Sequence, residues 1–184
     1  MGTSPRTYIP GSPEAALKYA IQHIQLDHAQ LIEGTIHPVS RSWSHEATTD
    51  RICTAIGATV ARLACVSGRG DLDLPGSCNW YIPDLAVVPE ASATGAGALL
   101  PQQTLLIVEV TEEFDSDTDR VVKRRRYAEF DAPLYLLVDR QERTCTLFSE
   151  PSRLGYAKSD GPHPFGTALH LPAPFDLELD TSDF

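Results

Sequence analysis

At 184 residues the chain suits one domain with a core large enough to hold without disulfide or metal staples, and two domains would be a squeeze. Hydrophobic residues at 42% and charged residues at 22% exclude a disordered chain, and no apolar run approaches the ~20 residues that span a bilayer. A formal net charge of −10 repels a phosphate backbone unless basic residues gather in one place, and the run Lys123-Arg124-Arg125-Arg126 is such a place, although it also reads as a solvated helix face.

The start of the chain has no positive segment followed by an apolar stretch and a small-residue cleavage site, so the cytoplasm is the expected location. Ser12-Pro13-Glu14 joins a cap residue, a proline suited to the first turn and an acid near the positive helix end. A short peripheral helix to about residue 23 is expected. Residues 30–39 have apolar side chains on both sides of Gly34 and predict a small hairpin. From residue 44 to about 66, Ile52, Ala55, Ile56, Val60, Leu63 and Ala64 recur at three and four residues. That is one apolar stripe of a long helix, which must lie against a sheet.

Strands are predicted over residues 80–88, 105–111, 134–139 and 144–149, with a helix over 117–130 between the second and third. This order indicates an α+β or mixed α/β domain. Leu105-Leu-Ile-Val-Glu-Val110 is nearly all apolar, as in a central strand covered on both faces. The polar connection Arg140-Gln-Glu-Arg143 is short enough to make its flanking strands antiparallel neighbours, so the sheet is expected to be mixed. Beyond residue 150 Pro, Gly and Ser predominate, and peripheral strands with a loose tail are expected. Cys53, Cys65, Cys78 and Cys145 contain no C-x-x-C pair and read as buried thiols.

Glu109 carries the most information, because an ionised carboxylate inside an apolar strand is costly unless a cation or hydrogen bonds offset it. A strand face meeting solvent or an arginine is the structural alternative. Asp84 follows Pro83 at the head of Leu85-Ala-Val-Val88, where a loop enters a strand expected beside that of Glu109; taken alone, Pro-Asp also reads as a turn. At 100° per residue, Asp119, Lys123, Tyr127 and Phe130 share the stripe that faces the sheet, while Arg124 and Arg125 point away. Lys123 is then either a catalytic ammonium or a partner of Asp119 four residues earlier. Ser116 with Asp119 forms a capping-box pattern that would set the helix rotation. Two carboxylates from neighbouring strands make a hard oxygen site of the kind Mg²⁺ uses, with the remaining positions left to water and a phosphate oxygen.

Pro83-Asp84-Leu-Ala-Val-Val, then Ile107-Val-Glu109-Val-Thr, Asp119-Arg120-x-x-Lys123-x-x-x-Tyr127 and Leu134-Tyr-Leu-Leu-Val-Asp139 together resemble the Uma-two family of the PD-(D/E)XK nuclease superfamily. The similarity runs from about residue 31 to 156. It implies a restriction-endonuclease-like mixed sheet flanked by helices, with residues 1–30 as a helical extension and 157–184 as peripheral strands and tail. It implies a Mg²⁺- or Mn²⁺-dependent endonuclease acting on nucleic acid, DNA in the first place, with homodimerisation by analogy. Asp84 and Glu109 become metal ligands and Lys123 the catalytic lysine moved onto the helix, since the usual position two after the glutamate is Thr111. Glu33 and Tyr127 are accessory candidates, and Arg124 and Arg126 candidate phosphate contacts. His45, also within the resemblance, reads as a helix-start neighbour outside the core site. The acidic segment after Thr111, Glu112-Glu-Phe-Asp-Ser-Asp117, departs from the family pattern and motivates the rival reading, a nuclease-fold module that binds nucleic acid or protein without catalysis.

Overall fold

The structure, a computed structural model, describes residues 11–23, 29–39, 41–95, 97–111 and 117–184. The expected Ser116 cap and the acidic residues 112–116 lie outside the described residues. Helix α1 (Pro13–His23) starts where the Ser12 hydroxyl accepts from the Ala15 amide at 3.1 Å. It is pinned to the domain by Lys18, whose ammonium reaches Asp73 at 2.6 Å and the Leu74 carbonyl at 3.0 Å. The predicted hairpin is formed by β1 (Ala29–Ile32) and β2 (Thr35–Pro38), and its two-residue turn, Glu33-Gly34, has positive φ at both positions.

Helix α2 (Trp43–Arg62) is capped by Ser42 and buries Ile52, Ile56 and Val60 against the sheet, as the stripe requires. It ends earlier than expected, and Ala64 at positive φ turns the chain into β3 (Cys65–Gly68). The single strand expected over residues 80–88 is two. After β4 (Leu72–Leu74), β5 (Asn79–Tyr81) and β6 (Leu85–Pro89) belong to different sheets. Pro83 between them has no N–H to continue a ladder.

A short helix, α3 (Glu90–Ala93), leads on to the central strand β7 (Leu106–Val110). The predicted helix over 117–130 is not uniform: Thr118–Lys123 winds as a π-helix and continues into α4 (Arg124–Glu129). Such wide turns concentrate at functional sites. The chain then adds β8 (Leu134–Asp139), β9 (Thr144–Ser152), β10 (Gly155–Pro164), β11 (Leu169–Leu171) and β12 (Leu177–Leu179).

Among the described residues the main sheet runs β10-β9-β8-β7-β6-β3, and a smaller sheet runs β2-β1-β5-β4. β7 and β8 are parallel and the other pairs of the main sheet antiparallel, so the sheet is mixed. Alternation divides β7. Leu106, Val108 and Val110 join the core under α2, while Ile107 joins the core under α4 with Tyr127, Tyr135 and Phe148. The thiols are all free, but Cys145 alone of the four is fully buried and the others are half-buried. No described helix is long and apolar enough to cross a membrane.

The C-terminal segment departs most from expectation. It is not a loose tail: Leu169, Leu171, Phe175 and Leu179 are buried in the α2-side core, and β10 is a full edge strand of the main sheet. Its bulge between Asp160 and His163 needs Gly161, where a Cβ would lie 2.6 Å from the Cys145 carbonyl. Phe175→Ala should therefore destabilise the protein by about 3–5 kcal/mol in urea unfolding. Leu154→Ala, at an exposed hairpin tip, should stay within about 0.5 kcal/mol of wild type. Equal effects of the two would show that the segment does not belong to the core.

Candidate active site

The pairing of β6 with β7 builds the floor of the site. Leu85 lies opposite Val108, which puts Asp84 one step further along, opposite Glu109 and on the same sheet face. The Val110 amide donates to Asp84 Oδ2 at 2.8 Å and ties the two strands together beyond their last paired residues. Asp84 is 4% exposed, Glu109 1% and Lys123 4%, so these charges must satisfy one another or be met by a ligand.

From above, the end of the π-helix brings the amine. Lys123 Nζ donates to Glu109 Oε1 at 3.0 Å and lies 3.1 Å from Asp119 Oδ1. One turn later the Tyr127 hydroxyl donates to the same Glu109 oxygen at 2.7 Å. Lys123 thus pairs with Asp119, as the structural alternative has it, and also lines the cavity. Asp84, Glu109, Asp119 and Lys123 line one cavity of about 50 Å³, with Arg41 and His45 among its other walls. That is room for a cation and a few waters.

Arg41 and His45 are the site residues that sequence reasoning missed. Arg41 Nε donates to Asp84 Oδ1 at 2.6 Å, and His45 Nε2 lies 3.0 Å from both Asp84 Oδ2 and the Val110 carbonyl. With two acceptors facing it, Nε2 carries the hydrogen, and the buried Nδ1 has no partner. A signal for His45 was present: it precedes Ile52 and Ile56 by seven and eleven residues and so continues the buried stripe of α2. Arg41 sits in a connection with no periodicity to mark it.

The other candidates lie elsewhere. Glu33, on the hairpin turn, receives two bonds of 2.6 Å from Arg126 and a 3.2 Å bond from Asn79, and it is not among the cavity's lining residues. Arg126 also pairs with Glu129 at 2.6 Å. Arg124 lies over the Phe148 ring, 5.0 Å from its centroid, and lines a different cavity. The basic run is thus divided among separate partners.

Electrostatics follow from having three acids around one ammonium. Burial pushes Asp84 up, but the hydrogen bond from His45 and the charges of Lys123 and Arg41 outweigh it and hold the carboxyl at about 2. Burial also pushes Glu109 up, and here it wins: Lys123 opposes it, but that ammonium is shared with Asp119 and Asp84, whose negative charges add to the rise. For Lys123 burial disfavours the charge, yet the three acids together hold it well above its ordinary range. Carboxylate is in surplus. Two hard oxygen donors and a small polar cavity are of the kind Mg²⁺ uses when it keeps most of its waters, while among the described residues no group of three or more His, Cys, Asp or Glu is placed to hold a metal ion.

A mixed sheet covered by helices, with an Asp and a Glu facing each other across adjacent strands and a lysine brought in from a helix, defines a restriction-endonuclease-like protein. Residues 17–182 match the profile of the Uma2 family, described as "Putative restriction endonuclease", and the chain belongs to that family. A crystal structure of a "putative nuclease belonging to DUF820" from Anabaena variabilis superposes with a TM-score of 0.72 at 14% identity, covering 91% of this chain and 95% of that one. At that identity the likeness establishes the fold. No curated protein matches the sequence.

Lys123→Met leaves three buried acids around an empty amine position and should cost about 3–5 kcal/mol at neutral pH. Losing the ammonium raises Glu109 further, so the folded variant keeps a proton that the unfolded chain releases above its ordinary value of 4.5. Folding stability of the variant then increases as pH falls, and, because Glu109 in the wild type is itself pushed up to about 8, its deficit against wild type should narrow as pH falls from the alkaline side toward 8 in chemical unfolding. A deficit that is flat with pH would show that the amine does not offset these carboxylates.

Proposed function

We propose that this protein is a Mg²⁺- or Mn²⁺-dependent endonuclease that hydrolyses phosphodiester bonds in DNA. The observation that carries the reading is the convergence of Asp84, Glu109 and Lys123 on one cavity, from three distant stretches of chain. Membership of the Uma2 family supports it. Asp84 and Glu109 would hold the ion. When bound, such an ion supplies an acidified water and neutralises charge at phosphorus. Lys123, bonded to Glu109, would stabilise the negative charge that develops on the phosphoryl oxygens, and Tyr127 holds the Glu109 carboxylate through its hydroxyl. By analogy with nucleases that cut both strands we read the protein as a homodimer acting in the cytoplasm; light scattering tests the first and cell fractionation the second.

The rival reading, a nuclease-fold module without catalysis, is favoured by one observation: both oxygens of Asp84 already have protein partners. Purified protein and plasmid DNA separate the two. With Mn²⁺ the wild type should cut, EDTA should abolish cutting, and Asp84→Asn and Glu109→Gln should fall to background. Lys123→Ala should lose about 10²–10³-fold in rate. Equal activity in the variants would identify a contaminant. Inactivity with binding that needs no divalent ion and weakens with salt would favour the module.

A further inference from the structure

Arg41 stands between β2 and α2, just before the Ser42 cap, with its side chain 9% exposed. Its two bonds at the site differ in kind. Nε holds Asp84 Oδ1 at 2.6 Å, while Nη2 reaches the Ile82 carbonyl at only 3.4 Å. The grip on the carboxylate is thus through one oxygen and not the two-pronged fork that makes such pairs most secure. The other oxygen, Oδ2, is held differently, by the Val110 backbone amide and by His45, which is 1% exposed on the rigid α2. Asp84 therefore has one oxygen fixed by the scaffold and one held by the guanidinium of a long side chain that lines the cavity.

We propose that Arg41 is a resident counter-cation on Asp84 Oδ1 that yields this oxygen to a divalent ion and then takes a phosphate oxygen of the nucleic acid. The proposal rests on the metal-dependent nuclease reading. A guanidinium and a dication cannot share one carboxylate oxygen at contact distance without strong repulsion. Nor does Asp84 lose its orientation when Arg41 leaves, because His45 and Val110 remain. A released guanidinium at the rim of the cavity would present paired N–H donors to an anion, and phosphate is the ligand that its planar fork fits. The same movement accounts for an Asp84 whose oxygens are all bonded in a protein built to hold a cation.

Calorimetric titration of metal-stripped wild type, R41Q and R41K with Mn²⁺ tests this without reference to cleavage. Removing the competing charge should tighten Mn²⁺ binding in R41Q by about tenfold, within the usual range of coupling between two ligands of one site, with R41K in between. With Ca²⁺ present to prevent cutting, R41Q should bind duplex DNA less tightly, and its plot of log affinity against log salt should be shallower by about 0.9, one phosphate contact. Should R41Q not fold, the wild type still decides: Mg²⁺ should move the Arg41 Nε–H resonance from its carboxylate-bonded position to that of a free guanidinium. Unchanged or weaker Mn²⁺ binding in R41Q, or an Arg41 resonance indifferent to Mg²⁺, would overturn the proposal and leave the nuclease reading standing. Absence of Mn²⁺ binding in every form would overturn both.

Discussion

A carboxylate in the centre of a fully buried strand has to be met by positive charge or by hydrogen bonds, and the layout around Glu109 follows from that requirement. β7 is covered on one face by α2 and on the other by the helix of Lys123 and Tyr127, so Glu109 is almost entirely buried. The helix answers with an ammonium and a hydroxyl directed at one oxygen. Asp84 and Asp119 enlarge the negative charge, and the Lys123 ammonium and the Arg41 guanidinium oppose it. A protein selected for stability alone would be served as well by apolar residues at these positions. On the proposed reading, these acids would make the cavity a place for a cation.

With an overall charge of −10, positive charge for a phosphate backbone has to be gathered locally. The four-residue basic run looks like a phosphate platform, but its members serve different neighbours: Lys123 the buried acids, Arg124 the Phe148 ring, Arg126 the carboxylates of Glu33 and Glu129. Of the run, Arg125 alone is exposed, so other positive charge for a substrate would come from elsewhere in the fold. Arg41, held in the cavity by a single carboxylate oxygen, is the nearest such source.

Glu109 and Lys123 were legible in the sequence because each breaks a pattern: an acid inside an apolar run, and a cation on the stripe marked by Tyr127 and Phe130. Asp84 was legible through its position at the head of a strand, and antiparallel pairing then placed it beside Glu109. Arg41 was not legible, since nothing local marks a loop residue that acts 43 positions away. His45 lay on the buried stripe of α2, but a polar residue one turn from a helix start also reads as part of the cap. Glu33 could not be placed because its partner, Arg126, is 93 residues distant and its role depends on how the hairpin packs. The peripheral strands of the C-terminal segment were legible in short alternating pieces such as residues 168–171, but their packing into the core was hidden among Pro and Gly. The split of the strand at Pro83 was legible in principle, because proline seldom sits within a central ladder.

The central claim is that Asp84 and Glu109 together hold a divalent cation. Anomalous diffraction from a crystal grown with Mn²⁺ tests it most directly. The expected result is a single strong peak in the cavity, about 2.1 Å from a carboxylate oxygen of each residue. A cavity without a peak at saturating Mn²⁺, with Arg41 and Lys123 still bonded to the two acids, would contradict it.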